Sequence, residues 1–124
     1  VLTISAYASG ALAYNPELLL SRYASWGIDP DKHLASINLK ESWTKFKKNK
    51  DIIVAVVDTG IQGDHTFLAS NIYVVGGKSS TANYGMDFSG AKVTKTPVDQ
   101  HGHGTHVAGI IKSVFPEVKL MALK

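Results

Sequence analysis

Two short segments contain the residues whose types and spacing suit chemistry. Positions 56–61 read VVDTGI, in which an apolar run ends on one carboxylate, Asp58. Positions 101–111 read HGHGTHVAGII and place three histidines within six residues. A carboxylate and an imidazole together suit a serine hydrolase, in which the carboxylate orients the histidine and the histidine takes the proton of a serine hydroxyl.

Two other chemistries use the same residue types. His101, His103 and His106 approach the H-x-H-x-D-H spacing of zinc sites, but Thr105 occupies the position of the aspartate. Asp-Thr-Gly after an apolar strand is also the signature of one lobe of an aspartic protease, where two carboxylates share a proton. A helical pattern after residue 104 argues against that all-β class. The residues alone leave both alternatives open.

The elements that must position these side chains form an α/β pattern. The β-branched run DIIVAVV at 51–57 predicts a strand covered on both faces. Apolar residues then recur at helical spacing and predict a helix that faces the core and ends before Pro116: Val107, Ile110, Ile111 and Val114. A further strand is predicted over 118–124, and NIYVV at 71–75 predicts another.

Strand, helix and strand in this order predict parallel strands joined by a crossover. Functional groups of such sheets gather beyond the carboxyl ends of the strands. Asp58 follows one strand and His103 opens the helix, so both are expected on the same rim. The strand over 118–124 is expected to have an open edge.

Two helices are predicted in the first part of the chain. The segment 16–25 carries Pro16 at a tolerated first-turn position, followed by apolar residues at helical spacing. The segment 39–48 carries its apolar residues on one side: Leu39, Trp43 and Phe46.

Composition excludes several function classes. The 124 residues are 44% hydrophobic and 19% charged, which is ordinary for a globular domain. The net charge of +3 lies largely in KFKKNK at 45–50, which has no aromatic-rich stacking pattern near it, so nucleic acid is not an expected partner. Cysteine is absent, and no apolar run is long enough for a membrane span.

The two segments together resemble a known family. DIIVAVVDTGI followed by DQHGHGTHVAGII is similar to the subtilisin-like serine proteases, or subtilases, whose blocks read V-A-V-x-D-T-G-I and H-G-T-H-V-A-G in this order. SWGID at 25–29 and INLKESW at 37–43 also resemble segments that precede the aspartate strand in the family. The resemblance covers about residues 26–124.

The resemblance implies a three-layer subtilisin-like α/β domain with a parallel sheet, of which this chain holds the N-terminal portion. Asp58 then matches the catalytic aspartate, and His103 matches the general base. His101 is expected either to border the substrate cleft or to be an exposed loop residue, whereas His106 matches a buried structural histidine. Asp99 matches a frequent acidic position before the histidine block, although it also suits a simple turn.

The resemblance also implies a serine endopeptidase that acts through an acyl-enzyme, with peptide or protein substrates. Ser89 and Ser113 lack the context of the family's nucleophile. The nucleophilic serine and the oxyanion-hole asparagine are therefore expected in a C-terminal portion, on a second polypeptide, and the chain alone is expected to be inactive. The alternative is a non-catalytic subtilase-like module for binding or regulation.

Further expectations concern processing and packing. Residues 1–14 are expected to be a retained prosegment remnant or an N-terminal arm, and 15–124 the catalytic portion. Autoprocessing and a secreted or periplasmic location follow from the resemblance. No cofactor or metal is predicted for this chain. The family's calcium site near residues 65–68 is not expected, because Phe67 stands where its aspartate would be. Gly104 and Gly109 are expected to allow close packing.

Overall fold

The computed structural model describes residues 27–29, 34–75 and 83–124, together with the single positions Leu19 and Arg22. The chain divides into two compact units, Val1–Lys50 and Asp51–Lys124. The expected prosegment remnant at residues 1–14 lies outside the described residues, and so does most of the helix predicted over 16–25. Leu19 and Arg22, within that predicted helix, are both helical.

The first unit contains helix α1, which spans Leu39–Lys45. The predicted helix over 39–48 is thus confirmed but shorter, because the backbone becomes extended at Phe46. Trp43 is the buried residue of the helix, and Glu41 forms an exposed ion pair with Lys45 one turn later. Such a surface pair contributes only about 0.3–0.5 kcal/mol.

The second unit is built on a parallel sheet of three described strands. Its elements in chain order are β1 (Ile53–Val57), β2 (Gly85–Met86), helix α2 (His103–Val114) and β3 (Lys119–Leu123). The strand order is β1-β3-β2, and both pairings are parallel. The predicted α/β class with a parallel sheet is therefore confirmed.

The open edges of the sheet differ from the prediction. β3 is the central strand, so the expected open edge at 118–124 is wrong, and β1 lies at one edge. The prediction that β1 is covered on both faces is also wrong for the described residues. Val56 is buried, but Ile53 and Val57 are 45% and 77% exposed, because the core lies on the other face of the strand.

The segment 71–75 does not form the predicted strand. Asn71 closes a short 3₁₀ helix, and its side-chain amide donates hydrogen bonds to the carbonyl oxygens of Pro116 and Val118. Only a single parallel bridge follows, between Ile72 and Leu120. The predicted strand is wrong because its first residue anchors a loop to the start of β3 instead of continuing the ladder.

Helix α2 packs on the core through part of the predicted stripe, since Val107 and Ile111 pack against the buried apolar residues. Its buried positions are Gly104, Ala108 and Lys112, while Ile110 is 51% exposed. The Lys112 ammonium donates to the carbonyl oxygen of Phe67 and lies 4.5 Å from the centre of that ring. Burial lowers the pKa of Lys112.

One apolar cluster joins the sheet to helix α2. Its buried members are Val56, Ile61, Leu68, Tyr84, Ala108, Val118, Leu120 and Ala122. The cluster fixes the carboxyl end of β1 relative to the start of α2, and this is where the candidate site lies. Within the described residues, no helix combines the length and the apolar character that crossing a bilayer requires.

Candidate active site

Asp58 lies directly after β1, at the carboxyl end of the sheet. Its backbone N–H still donates to the carbonyl oxygen of Leu123, so the ladder with β3 fixes its position. The next residue, Thr59, donates its backbone N–H to Asp58 Oδ1 at 2.7 Å. The carboxylate is therefore held by rigid backbone on both sides of its own residue.

His103 is the first residue of helix α2 and follows Gly102, whose φ of 95° lies in the left-handed region that favours glycine. The next residue, Gly104, packs against the chain beyond Asp58. A Cβ atom there would overlap the carbonyl oxygen of Gly60 and lie 3.2 Å from Asp58 Cβ. The predicted close packing at Gly104 is confirmed, and it brings the helix start against the end of β1.

The structure brings Asp58 and His103 together. Nδ1 of His103 lies 2.8 Å from both carboxylate oxygens of Asp58. The side chain of Asp58 is 16% exposed, whereas that of His103 is 58% exposed. An ionised carboxylate only accepts hydrogen bonds, so Nδ1 carries the donated proton and the neutral ring keeps an acceptor at Nε2.

The hydrogen bond from His103 lowers the pKa of Asp58, and the N–H of Thr59 lowers it further. Asp58 is therefore ionised at neutral pH. An ionised carboxylate beside one imidazole nitrogen stabilises the imidazolium that forms when the other nitrogen takes a proton. The arrangement can thus orient a general base and support its protonated form.

A second carboxylate, Asp99, is surrounded by hydrogen-bond donors. Its Oδ1 accepts from the Thr59 hydroxyl and from the N–H groups of His101 and Gly102 at 2.8–2.9 Å. Its Oδ2 accepts from the N–H and the hydroxyl of Thr105 at 2.9 and 2.6 Å. Burial alone raises the pKa of Asp99, but the bonds from Thr105, Gly102 and His101 outweigh it and hold that pKa far below its usual range.

Sequence reasoning placed Asp99 beside the histidine block but missed its connection to Thr59, 40 residues earlier. A signal was available, because a threonine follows Asp58 directly and another lies two residues after His103. A threonine hydroxyl near Asp58 and another near His103 could each form a hydrogen bond that links the two segments.

The other two histidines lie apart from the Asp58 contact. His101 is exposed, and its ring centre is 6.3 Å from that of His103 in an edge-on arrangement. His106 is also exposed, so the expectation of a buried structural histidine is wrong. Helix α2 turns that position outward because Gly104 and Ala108 face the core. No group of three potential metal ligands comes together among the residues that the structure describes.

The two serines considered as nucleophiles have other partners. The Ser89 hydroxyl donates to the carboxylate of Asp87, and the Ser113 hydroxyl donates to the carbonyl oxygen of Gly109 in the preceding helical turn. Neither of these hydrogen bonds involves His103.

Comparison with known proteins gives a family match across both segments. The subtilase family model matches residues 49–119, more than half of the chain. No solved structure matches the chain significantly.

Named relatives agree with the family model. The chain is 39% identical over 97 residues to the major intracellular serine protease of Bacillus subtilis, an alignment that covers 71% of the chain and 28% of that protein. It is 37% identical over 75 residues to a halolysin-like extracellular serine protease of Natrialba magadii (60% and 13%). It is 36% identical over 107 residues to subtilisin-like protease 2 of Plasmodium falciparum (84% and 7%).

The alignments therefore span less than a third of the length of each of these relatives. The region that the family model matches holds the strand end at Asp58 and the helix start at His103. The chain belongs to the subtilase family.

Proposed function

We propose that this chain is the N-terminal portion of the catalytic domain of a serine endopeptidase, in which Asp58 orients His103 as the general base. The hydrogen bond between the two side chains is the single observation that carries the proposal. The exposure of His103 supports it, because a hydroxyl and a peptide substrate must reach Nε2. The serine proteases among the named relatives support the same class of reaction.

In the proposed reaction, a serine from outside the 124 residues attacks the carbonyl carbon of a peptide bond. Nε2 of His103 takes the hydroxyl proton and then gives it to the leaving amine, so that an acyl-enzyme forms. Water then attacks the acyl-enzyme. Nε2 of His103 takes a proton from this water and returns it to the serine oxygen, which releases the peptide acid. Asp58 stays ionised throughout and stabilises the imidazolium. An oxyanion-hole asparagine from the same outside portion would bind the developing negative charge.

One edge of β1 pairs with no other strand among the residues that the structure describes, and this edge is the proposed place for the serine-bearing portion. A strand added there in parallel would end on the rim where Asp58 and His103 lie. The exposed apolar side chains of Ile53 and Val57 support this site, since a further layer on that face would bury them. The partner is therefore proposed to complete both the sheet and the active site.

Location and processing remain predictions. The names of the relatives include both an intracellular and an extracellular protease, so they do not separate a secreted or periplasmic location from a cytoplasmic one. Autoprocessing and the assignment of residues 1–14 to a prosegment remain expectations from the family. The same applies to His101 at the border of the substrate cleft.

The function is tested by two histidine substitutions in the active, assembled protein. His103→Ala removes the proposed base and should abolish peptide hydrolysis, because the serine is left without a proton acceptor. His106→Ala is the matched control, since it removes an exposed imidazole one turn along the same helix and should keep kcat within about twofold of the unchanged protein.

The assay measures kcat/KM on a peptide substrate, and a chelator is added in parallel. Equal losses for both variants would contradict the assignment of the base. Inhibition by the chelator that metal reverses would favour a zinc site instead. An assembled protein that folds and binds peptides without cleaving them would favour the non-catalytic module.

A further inference from the structure

We propose that Asp99 is a positioning residue that sets how Asp58 and His103 face each other. None of the hydrogen bonds described for Asp99 goes to either side chain of the pair, so it would act through the hydroxyls of Thr59 and Thr105. The inference rests on the proposed function, because it concerns the alignment of the same two side chains.

The two threonines link the segments in a reciprocal way. The Thr59 hydroxyl, from the Asp58 segment, accepts the N–H of Gly104 in the helix at 3.0 Å. The Thr105 hydroxyl, from the helix, accepts the N–H of Gln62 in the Asp58 segment at 3.0 Å. Each segment thus supplies one hydroxyl that receives a backbone N–H from the other.

Asp99 fixes the direction of both hydroxyls. A hydroxyl has only one proton, and Thr59 and Thr105 each donate theirs to the Asp99 carboxylate. The lone pairs of the two hydroxyl oxygens therefore point toward the backbone N–H groups of Gly104 and Gln62. Without the carboxylate, both hydroxyls would be free to rotate and both links between the segments would weaken.

The links lie next to the reacting side chains. Thr59 directly follows Asp58, and its partner Gly104 directly follows His103. A shift of the helix start relative to the strand end therefore changes the contact between the carboxylate and the imidazole. A misplacement of about 1 Å is enough to lower a rate about a hundredfold.

Helix capping explains only part of this arrangement. A side chain that caps a helix accepts N–H groups from the first helical turn, as Asp99 does from Thr105. The bond from the Thr59 hydroxyl has no capping role, because it joins Asp99 to a residue 40 positions away at the end of β1. This bond connects the cap to the aspartate segment.

The first test replaces the carboxylate with an amide. Asp99→Asn retains the size of the side chain but replaces one carboxylate oxygen with an NH₂ group. The hydrogen-bond donors that pointed at that oxygen therefore lose their acceptor. We expect kcat per active site, counted by titration with a serine-directed phosphonate, to fall about 10–100-fold while KM changes less than about twofold. Asp87→Asn is the matched control.

The control is suitable because Asp87 is also a carboxylate that accepts hydrogen bonds in a loop, from the N–H and the hydroxyl of Ser89. Its hydrogen bonds among the described residues go to Ser89 and Thr94, which lie outside both segments of the candidate site, so the kcat of Asp87→Asn should not change. If Asp99→Asn lowers the melting temperature but retains the full kcat per active site, Asp99 is a structural cap and the proposal is wrong.

A second pair of variants retains the carboxylate and tests the link itself. Thr59→Val removes the hydroxyl at nearly constant shape and should lower kcat as Asp99→Asn does. Thr59→Ser retains the hydroxyl and should restore kcat to within about threefold of the unchanged protein. This pair decides the question even if Asp99→Asn fails to fold. Equal activity of the two variants would overturn the proposal.

A spectroscopic measurement separates this proposal from the proposed function. The Nδ1 proton of His103 should give a downfield NMR signal, since it is hydrogen-bonded to a carboxylate. We expect that signal to be lost or shifted in Thr59→Val and retained in Thr59→Ser. An unchanged signal in Thr59→Val refutes the positioning role, whereas absence of peptidase activity in the unchanged protein refutes only the proposed function.

Discussion

Two carboxylates near the helix start have the same chemistry but different surroundings. Asp58 accepts hydrogen bonds from an imidazole and one backbone N–H, and its partner His103 opens toward solvent. Asp99 accepts five hydrogen bonds from hydroxyls and backbone N–H groups, which occupy both its oxygens. The first is proposed to assist proton transfer by its neighbour, whereas the second is proposed to position that pair through the two threonine hydroxyls.

The lowered pKa values of these carboxylates predict how stability depends on pH. A carboxyl whose pKa is lower in the folded state favours folding above its ordinary pKa of 3.8, and this contribution is lost as pH falls below that value. We expect a smaller free energy of unfolding at pH 3 than at pH 6, measured by urea denaturation of the phosphonate-inhibited protein.

The variants Asp99→Asn and Asp87→Asn test which carboxylate causes the pH dependence of the unfolding free energy. Asp99→Asn should reduce the difference between pH 3 and pH 6 more than Asp87→Asn does, because Asp87 accepts two hydrogen bonds from Ser89 and Asp99 accepts five. A pH dependence that Asp99→Asn leaves unchanged would contradict the view that hydrogen bonds in the folded state lower the pKa of Asp99.

The sequence placed residues correctly on their elements where that placement depends on local pattern. Asp58 follows a β-branched run and His103 precedes a helical stripe, so neighbouring residues were enough to place each of them on its element. The exposure of His106 and the partners of Thr59 depend on which face the helix turns to the sheet. That orientation is set by tertiary packing, which spacing along the chain does not reveal.

At the scale of elements, the sequence predicted whether a segment is a helix or a strand better than it predicted how the elements pair and pack. Helix α2 and strands β1 and β3 were expected close to their observed bounds. Strand β2 was missed because glycine is typical of loops. In the structure, Gly85 lies in the strand because any Cβ atom there would overlap the carbonyl oxygen of Ala122 on β3. The segment 71–75 was taken as a strand because its apolar run is typical of one, although it makes one bridge only.

Two glycines on helix α2 give a matched prediction. A Cβ at Gly109 meets nothing within 4 Å, so the expected close packing there is wrong, and Gly109→Ala should stabilise the protein by about 0.5–1 kcal/mol through helix propensity. Gly104→Ala should destabilise it and lower activity, because the new methyl group overlaps the carbonyl oxygen of Gly60. Thermal unfolding of both variants measures the difference.

The glycine comparison has its own control, since the same substitution is made five residues apart on one helix. A Gly109→Ala variant that is as unstable as Gly104→Ala would show that the outer face of the helix is packed. A fully active and stable Gly104→Ala variant would contradict the close contact between the helix start and the end of β1.

At the scale of the whole molecule, the described sheet exposes apolar side chains on one face, and its edge strand β1 has no pairing strand on one side among the described residues. Ile53 and Val57 are exposed on edge strand β1, and exposed apolar edges favour pairing with other chains. We expect the chain to self-associate when it is produced alone, and Ile53→Lys to reduce this association, as sedimentation velocity would show.

The same substitution should impair assembly of the proposed enzyme. A lysine at position 53 would place a charge on the face that the serine-bearing portion is proposed to cover, so mixing the two portions should recover less activity than with the unchanged chain. A chain that is monomeric, stable and indifferent to Ile53→Lys would favour the stand-alone module over the incomplete catalytic domain.

The most direct measurement is the site at which a serine-directed phosphonate attaches to the assembled protein, mapped by mass spectrometry of its peptides. The account predicts one adduct, on a serine outside these 124 residues, and its loss when His103 is replaced by alanine. An adduct on Ser89, Ser113 or any other residue of this chain would contradict the division of the active site between Asp58 and His103 here and a nucleophile supplied by the partner portion.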